Sequence, residues 1–267
     1  MTDVDVAPPA AIVVPPRPPR WITVIRSATY VVLSGLWLVV AGIVAAPLLL
    51  TRRGTGWIAF TTWARVNLWL LRVVVGQRMR VLGAENIPEG GALVAAKHMS
   101  SWETFALVPL LPRPVYVLKR ELLRIPIWGR YARHFGMISV DRSAGASALI
   151  GMARDAEAAI AAGSQVVIFP EGTRRRPGEP PDYKTGIALL YRSLGVPCTP
   201  VALNSGLFSE FRSILRYPGT VTVSFLPPLP ANLSRPAFLA ALESAIETET
   251  ARLLADPDAP PPGASRP

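Results

Sequence analysis

The chain has 267 residues, half of them hydrophobic, a mean hydropathy of +0.33 and a formal net charge of +10. That length buries a full core and suits one domain, at most two, while the basic surface is drawn to polyanions: nucleic acid, anionic lipid headgroups or phosphorylated substrates. One cysteine excludes an internal disulfide, and one Cys with two separated His excludes a metal-ligand cluster.

Residues 1–20 are Pro-rich, with Pro15-Pro16-Arg17-Pro18-Pro19-Arg20 at their end, and read as an extended, mobile tail. No apolar core follows a basic start early enough for a signal peptide. From Ser27 to Thr51 there is no charged residue. Those 25 positions make roughly 37 Å of helix against about 30 Å of hydrocarbon. Aromatic residues Trp21, Tyr30 and Trp37 and flanking arginines Arg26, Arg52 and Arg53 bracket a membrane-inserted helix. A second apolar segment, Trp57 to Val75, carries Arg65 and Arg72 seven residues apart on one helical face. That pattern fits an amphipathic or re-entrant helix in the interface better than a second full crossing. Arginines at both ends of the first helix leave its orientation undecided by the positive-inside rule.

From Arg78 onward short apolar runs alternate with helical patterns. Strands are predicted at 78–83, 92–97, 114–118, 137–140, 165–169, 198–203 and 219–226, and helices at 101–110, 127–135, 145–162, 184–194 and 235–254. Ser143 and Gly163 bracket the third of these helices, and Ser234 with Pro236 opens the last. The alternation predicts an α/β sheet covered by helices. The domain plan is a tail at 1–20, anchoring helices at 21–76, a catalytic domain at 77–255 and a disordered tail at 256–267.

Two stretches carry chemistry. In Lys97-His98-Met99-Ser100-Ser101-Trp102-Glu103-Thr104, a histidine is followed five positions on by a carboxylate. A neutral imidazole can take a proton from a hydroxyl when a carboxylate holds its other ring nitrogen as the donor. His98 falls in the turn between a buried strand and a helix, where Ser100 and Glu103 also have capping-box spacing. The second stretch, Phe169-Pro170-Glu171-Gly172-Thr173-Arg174, follows the apolar run 165–168 and leads into Arg175 and Arg176. It makes a rigid cationic turn, and arginine presents a planar fork suited to phosphate.

Together these stretches resemble the PlsC-type 1-acylglycerol-3-phosphate acyltransferases, marked by a histidine and an acid with four residues between them and by a Phe-Pro-Glu-Gly-Thr-Arg block. The block matches letter for letter, whereas Glu103 stands where Asp is usual. Two weaker blocks follow in order: Gly136-Met137-Ile138-Ser139-Val140-Asp141-Arg142 and Val196-Pro197-Cys198-Thr199-Pro200-Val201. The resemblance covers roughly residues 78 to 226 and implies a mixed, largely parallel sheet. It implies acyl transfer from a thioester of coenzyme A or acyl carrier protein to the sn-2 hydroxyl of lysophosphatidic acid, giving phosphatidic acid without a bound cofactor. His98 would be general base and Glu103 its orienting acid. Lys119, Arg142, Glu171, Gly172, Thr173 and Arg174 would line the substrate phosphate site, Glu171 orienting an arginine or touching the glycerol. Arg175, Arg176 and Lys184 read as surface charges facing headgroups, His134 as structural and Cys198 as core. The implied setting is the cytoplasmic face of a bacterial inner membrane. Another lysolipid acceptor, a lyso-aminolipid or glycolipid, is the alternative. No recognition motif supports nucleic-acid binding, and no Gly-x-Ser-x-Gly elbow supports a serine hydrolase.

Overall fold

The computed structural model describes residues 11–52, 55–141 and 145–258. The predicted site residue Arg142, the predicted cap Ser143 and the outer parts of both tails lie outside the described residues. Two helices lead: α1 (Arg20–Val44) and α2 (Trp57–Leu70), the latter extended by a π-helical turn at Leu71–Val75. Then come β1 (Gln77–Leu82), β2 (Ala92–Ala96), α3 (Glu103–Ala106), β3 (Pro114–Lys119), α4 (Trp128–His134) and β4 (Ile138–Val140). The chain closes with α5 (Gly145–Ala161), β5 (Gln165–Ile168), α6 (Gly186–Leu194), β6 (Cys198–Leu203), β7 (Gly219–Phe225) and α7 (Arg235–Ala255).

The seven strands form one sheet in the order β1-β7-β6-β2-β5-β3-β4. Five of them, β6 through β4, run parallel; β7 turns back against β6, and β1 pairs parallel with β7. Strand β2 is central and buried along its whole length. Its side chains alternate between two cores, as the period of a strand requires. Leu93 and Ala95 join α5, α6 and α7 through Met152, Ile187 and Phe238. Val94 and Ala96 face the other way, toward Ala64, Leu71 and Val75 of the α2 segment and Ala106 of α3. With helices on both faces, β2 can be apolar throughout, the composition of parallel strands covered on both sides.

Predicted helix 101–110 contracts to the single turn Glu103–Ala106. Pro109 has no N–H to continue the ladder, and its ring obstructs the carbonyl four residues back. The chain leaves instead through turns closed by Leu110 N–H and Leu111 N–H on Leu107 O. At the other predicted signals, Gly163 takes positive φ (78°) after α5, and Ser234 Oγ accepts from Ala237 N–H at 3.4 Å to open α7.

α1 and α2 form an antiparallel hairpin. Ser34 bonds to Asn67 at 2.5 Å, and Trp37 Nε1 donates to Trp63 O at 3.2 Å. Both helices are long and apolar enough to cross a membrane, with mean hydropathies of 2.0 and 1.3. The hairpin rests against the domain near both ends of α1: Ser27 Oγ accepts from Arg216 N–H at 2.9 Å, and Gly42 O accepts from Tyr131 Oη at 2.6 Å. A side chain at Gly42 would collide with Ile127, so glycine permits that close approach. Only Thr23, Ser27 and Tyr30 of α1 are buried, which leaves a long apolar face uncovered.

The amino-terminal tail departs from expectation. Its described part, residues 11–19, lacks regular structure but is seated on the domain. Val13 N–H donates to Leu254 O at 2.9 Å, and the Arg17 guanidinium lies 4.1 Å from the centre of the Tyr217 ring. At the other end, Arg80 donates to the carbonyls of Pro257 and Asp258.

Candidate active site

The site lies at the carboxyl ends of the parallel strands, where open α/β sheets place their ligands. His98 follows β2, the Phe169–Arg174 turn follows β5, Ser205 follows β6, and Lys119 ends β3. Neighbouring parallel strands bring these segments together: Ala95 of β2 pairs with Ile168 of β5 and with Pro200 of β6.

His98 Nδ1 is 2.8 Å from Glu103 Oε1. The ionised carboxylate only accepts, so Nδ1 is the donor of this pair, and in the neutral ring Nε2 is the nitrogen that can take a proton. Glu103 is fully buried. Its Oε1 also accepts from the N–H groups of Met99 and Ser100, each at 2.7 Å, and its Oε2 accepts from Ser100 Oγ and Ser205 Oγ, each at 2.8 Å. Burial alone pushes this carboxyl up; the His98 hydrogen bond and charge, with the backbone donors, outweigh it and hold the group below its usual range. The capping-box residues are present, but both also serve the histidine: Ser100 Oγ accepts from Trp102 N–H and donates to Glu103.

The imidazole stacks on Phe169, ring centres 4.1 Å apart and planes at 17°. The two sequence blocks meet again where Arg175 N–H donates to His98 O at 2.8 Å. The turn is closed by Gly172 N–H on Phe169 O at 2.9 Å, and Gly172 takes φ 64°, a left-handed conformation suited to glycine. Thr173 and Arg174 follow it, both exposed. They open into a broad, largely basic mouth lined by Thr173, Arg174, Arg175, Arg176, Phe211 and Arg212, with Glu179 its one acid. Lys119 is exposed at the carboxyl end of β3, paired in register with Val140 of the edge strand β4.

Three predicted placements change. The Glu171 carboxylate does not reach for an arginine or an open site; it is buried, and its Oε1 binds Lys97 Nζ at 2.8 Å. Burial raises its pKa, and Lys97 only partly offsets that. Lys97 Nζ, almost fully buried, also meets Glu247 Oε1 at 2.8 Å. Arg175 and Lys184, read as headgroup-facing charges, are tied to acids: Arg175 to Glu179 (3.2 Å) and Asp182 (2.6 Å), Lys184 to Asp182 (2.5 Å). His134 is buried, with Nε2 3.2 Å from Thr55 O, and buried Cys198 has its thiol pKa raised by desolvation.

Lys97 and Ser205 were not singled out from sequence. Lys97 had a signal: a charge ending a wholly apolar strand needs a buried partner. Ser205 had none, since its role depends on β6 lying beside β2.

A narrow apolar cleft lies between α1, α2 and α4, lined by Leu38, Phe60, Trp63, Tyr131, Phe135 and Met137. It lies one packing step beyond the aromatic wall of the site. Phe169 is 6.4 Å from Tyr116, whose N–H contacts Met137 Sδ at 3.1 Å.

Fold and site together define an α/β enzyme whose carboxylate-oriented histidine stands beside a cationic turn. Residues 78–204 match a family model described as Acyltransferase. The 1-acyl-sn-glycerol-3-phosphate acyltransferase of Pseudomonas aeruginosa is 36% identical over 194 residues, 73% of this chain and 76% of that protein. The chain belongs to this acyltransferase family. Human 1-acyl-sn-glycerol-3-phosphate acyltransferase alpha is 30% identical over 169 residues, 62% of this chain and 60% of that protein. The crystal structure of the LPA acyltransferase PlsC from Thermotoga maritima shares the fold, with a TM-score of 0.74 over 88% of this chain and 97% of that one, at 20% identity.

Proposed function

We propose that this enzyme moves a fatty acyl group from coenzyme A or acyl carrier protein to the sn-2 hydroxyl of lysophosphatidic acid, yielding phosphatidic acid. One observation carries the reading: a histidine whose Nδ1 is fixed by a buried carboxylate stands against the Phe-Pro-Glu-Gly-Thr-Arg turn. His98 Nε2 removes the acceptor hydroxyl proton as the oxygen attacks the thioester carbonyl. The thiolate leaves and is protonated from the imidazolium, so no acyl-enzyme and no bound cofactor is needed. General-base assistance of this kind is worth about 10²–10⁴-fold in rate. Arg174 and Lys119 hold the phosphate, and the apolar cleft under α1 receives an acyl chain.

We read the hairpin as the part that holds the enzyme at a bilayer, on the length and apolar character of its two helices. Because α1 and α2 are antiparallel and α1 rests on the domain near both ends, we read the hairpin as entering from one face and returning to it. We assign that face to the cytoplasmic side of a bacterial inner membrane, where acyl thioesters are made.

The test is transfer of labelled acyl from a thioester to a panel of lysolipids by the detergent-purified full chain, resolved by thin-layer chromatography. Lysophosphatidate is expected to be acylated fastest, and His98→Ala to lose the activity with the fold retained. A faster lyso-aminolipid or glycolipid acceptor would change the substrate assignment, and undiminished turnover by His98→Ala would overturn the base.

A further inference from the structure

Arg216 lies beyond the matched segment 78–204 and outside all four sequence blocks, yet it reaches the catalytic loop. It closes a short hairpin, bridged antiparallel to Ser209. Its backbone N–H is held by Ser27 Oγ of α1. Its guanidinium donates to Ser213 O and Leu215 O through Nη1, at 3.2 and 3.1 Å, and to Ser101 Oγ through Nη2 at 2.8 Å. Ser101 stands between His98 and Glu103 in the same turn. Among the described residues Arg216 forms no ion pair, in contrast to Arg175.

This is an unusual way to keep a guanidinium. Burial weakens its hold on its proton; Tyr30 and Glu103 oppose that, whereas the positive charge of Arg174 adds to it. Among the described residues no carboxylate lies within hydrogen-bond reach of the Arg216 guanidinium, whose contacts are two carbonyls and the Ser101 hydroxyl. A partly buried cation is usually paired, because leaving it unpaired is costly. Fixed carbonyl and hydroxyl contacts aim the group, and an incoming dianion would supply the missing charge.

We propose that Arg216, steadied by Ser101, is a second guanidinium on the acceptor's phosphate, acting with Arg174. The inference rests on the acyl-transfer reading above and adds a specificity to it. A phosphomonoester carries a charge of about −1.5 to −2 at neutral pH, whereas a phosphodiester carries one. Two arginines favour the monoester, so the site selects lysophosphatidate over lysophospholipids with a substituted headgroup.

The experiment uses the full chain in detergent with saturating acyl thioester and three acceptors: lysophosphatidate, lysophosphatidylglycerol and monoacylglycerol. Arg216→Gln is expected to raise KM for lysophosphatidate tenfold or more, leave KM for the thioester unchanged, and change kcat/KM for monoacylglycerol less than twofold. The monoester-to-diester preference should shrink by a similar factor. Inhibition by sn-glycerol 3-phosphate should weaken in parallel, and Ser101→Ala should shift the same constants in the same direction by a smaller factor. Equal losses with all three acceptors, or an unchanged KM for lysophosphatidate, would overturn the assignment. If Arg216→Gln fails to fold, Arg216→Lys and Ser101→Ala decide by the same ratios. If the wild-type chain acylates no phosphorylated lysolipid, the parent reading fails, and that result differs from a wild-type activity indifferent to Arg216.

Discussion

At the scale of single residues, the site turns on how completely Glu103 is committed. Five donors surround one buried carboxylate, and only one of them is the imidazole. Glutamine in its place can accept from the ring and the two N–H groups but offers the imidazolium no charge, and its NH2 would turn the Ser100 and Ser205 hydroxyls from donors to acceptors. Glu103→Gln is expected to lower kcat about 10²–10⁴-fold, with little change in acceptor KM. Glu103→Asp should retain more activity, since a carboxylate survives on a shorter arm. Comparable rates for both, near wild type, would reduce Glu103 to a cap. The same residue sets an acid limit on stability. Its folded pKa is depressed, so its contribution is present above the ordinary glutamate value of about 4.3 and is lost as pH falls through the folded value. Glu171, raised by burial, runs the opposite way: its contribution fades as pH rises through its folded pKa. Tm measured from pH 3 to 7 should therefore fall less steeply at the acid end in Glu103→Gln than in the wild type. An unchanged acid slope would mean Glu103 titrates alike in folded and unfolded chains.

At the scale of elements, Lys97 fastens the loop after β2 to the loop after β5. It contacts Glu171 directly, while Glu247 brings in α7 and accepts from Tyr183 Oη at 2.8 Å. Lys97→Met leaves a buried carboxylate without its cation and should cost about 3–5 kcal/mol of stability. The double variant Lys97→Met/Glu171→Gln should recover part of that loss, because the fully buried orphaned charge is gone and Glu247, partly exposed, keeps water and Tyr183 Oη. Denaturant midpoints of the two variants check this, and a double variant no better than the single would refute the pairing. Such a clasp explains which parts of the fold were readable beforehand. The strands are legible because the central ones are short apolar runs and β1 and β7 alternate polar with apolar residues, each stopped by turn residues, and the observed spans differ from expectation by a residue or so. The histidine and the cationic turn were legible because each is contiguous. Lys97–Glu171, Ser205 and Arg216 were not, since their pairings depend on strand order: β2 lies between β5 and β6, an arrangement that no local pattern encodes. The cap signal at Ser100 extends the expected helix past the point where Pro109 ends the ladder.

At the scale of the whole molecule, the question is what covers the outer face of the hairpin. Val32, Leu36 and Val40 recur every four residues on α1 and are 60%, 58% and 50% exposed, forming one stripe on a helix whose polar contacts lie elsewhere. Ser27, Ser34 and Gly42 face the domain or α2, so the stripe can be altered without cutting the bonds that seat the helix. Water is a poor solvent for it, and lipid a good one. Replacing the three with Asp should leave the catalytic sheet folded and keep turnover of detergent-dispersed substrate within about threefold, because no site residue is touched. Membrane affinity should respond differently: an acid held at the centre of a hydrocarbon layer costs about 2.5–3.5 kcal/mol, and three of them should release most of the protein from sedimented vesicles. Activity on vesicle-borne lysolipid should then fall with the bound fraction. A variant that still sediments with vesicles would show that the stripe is not the lipid-facing surface, and one inactive even in detergent would show that α1 supports the catalytic site beyond its contacts at Ser27 and Gly42.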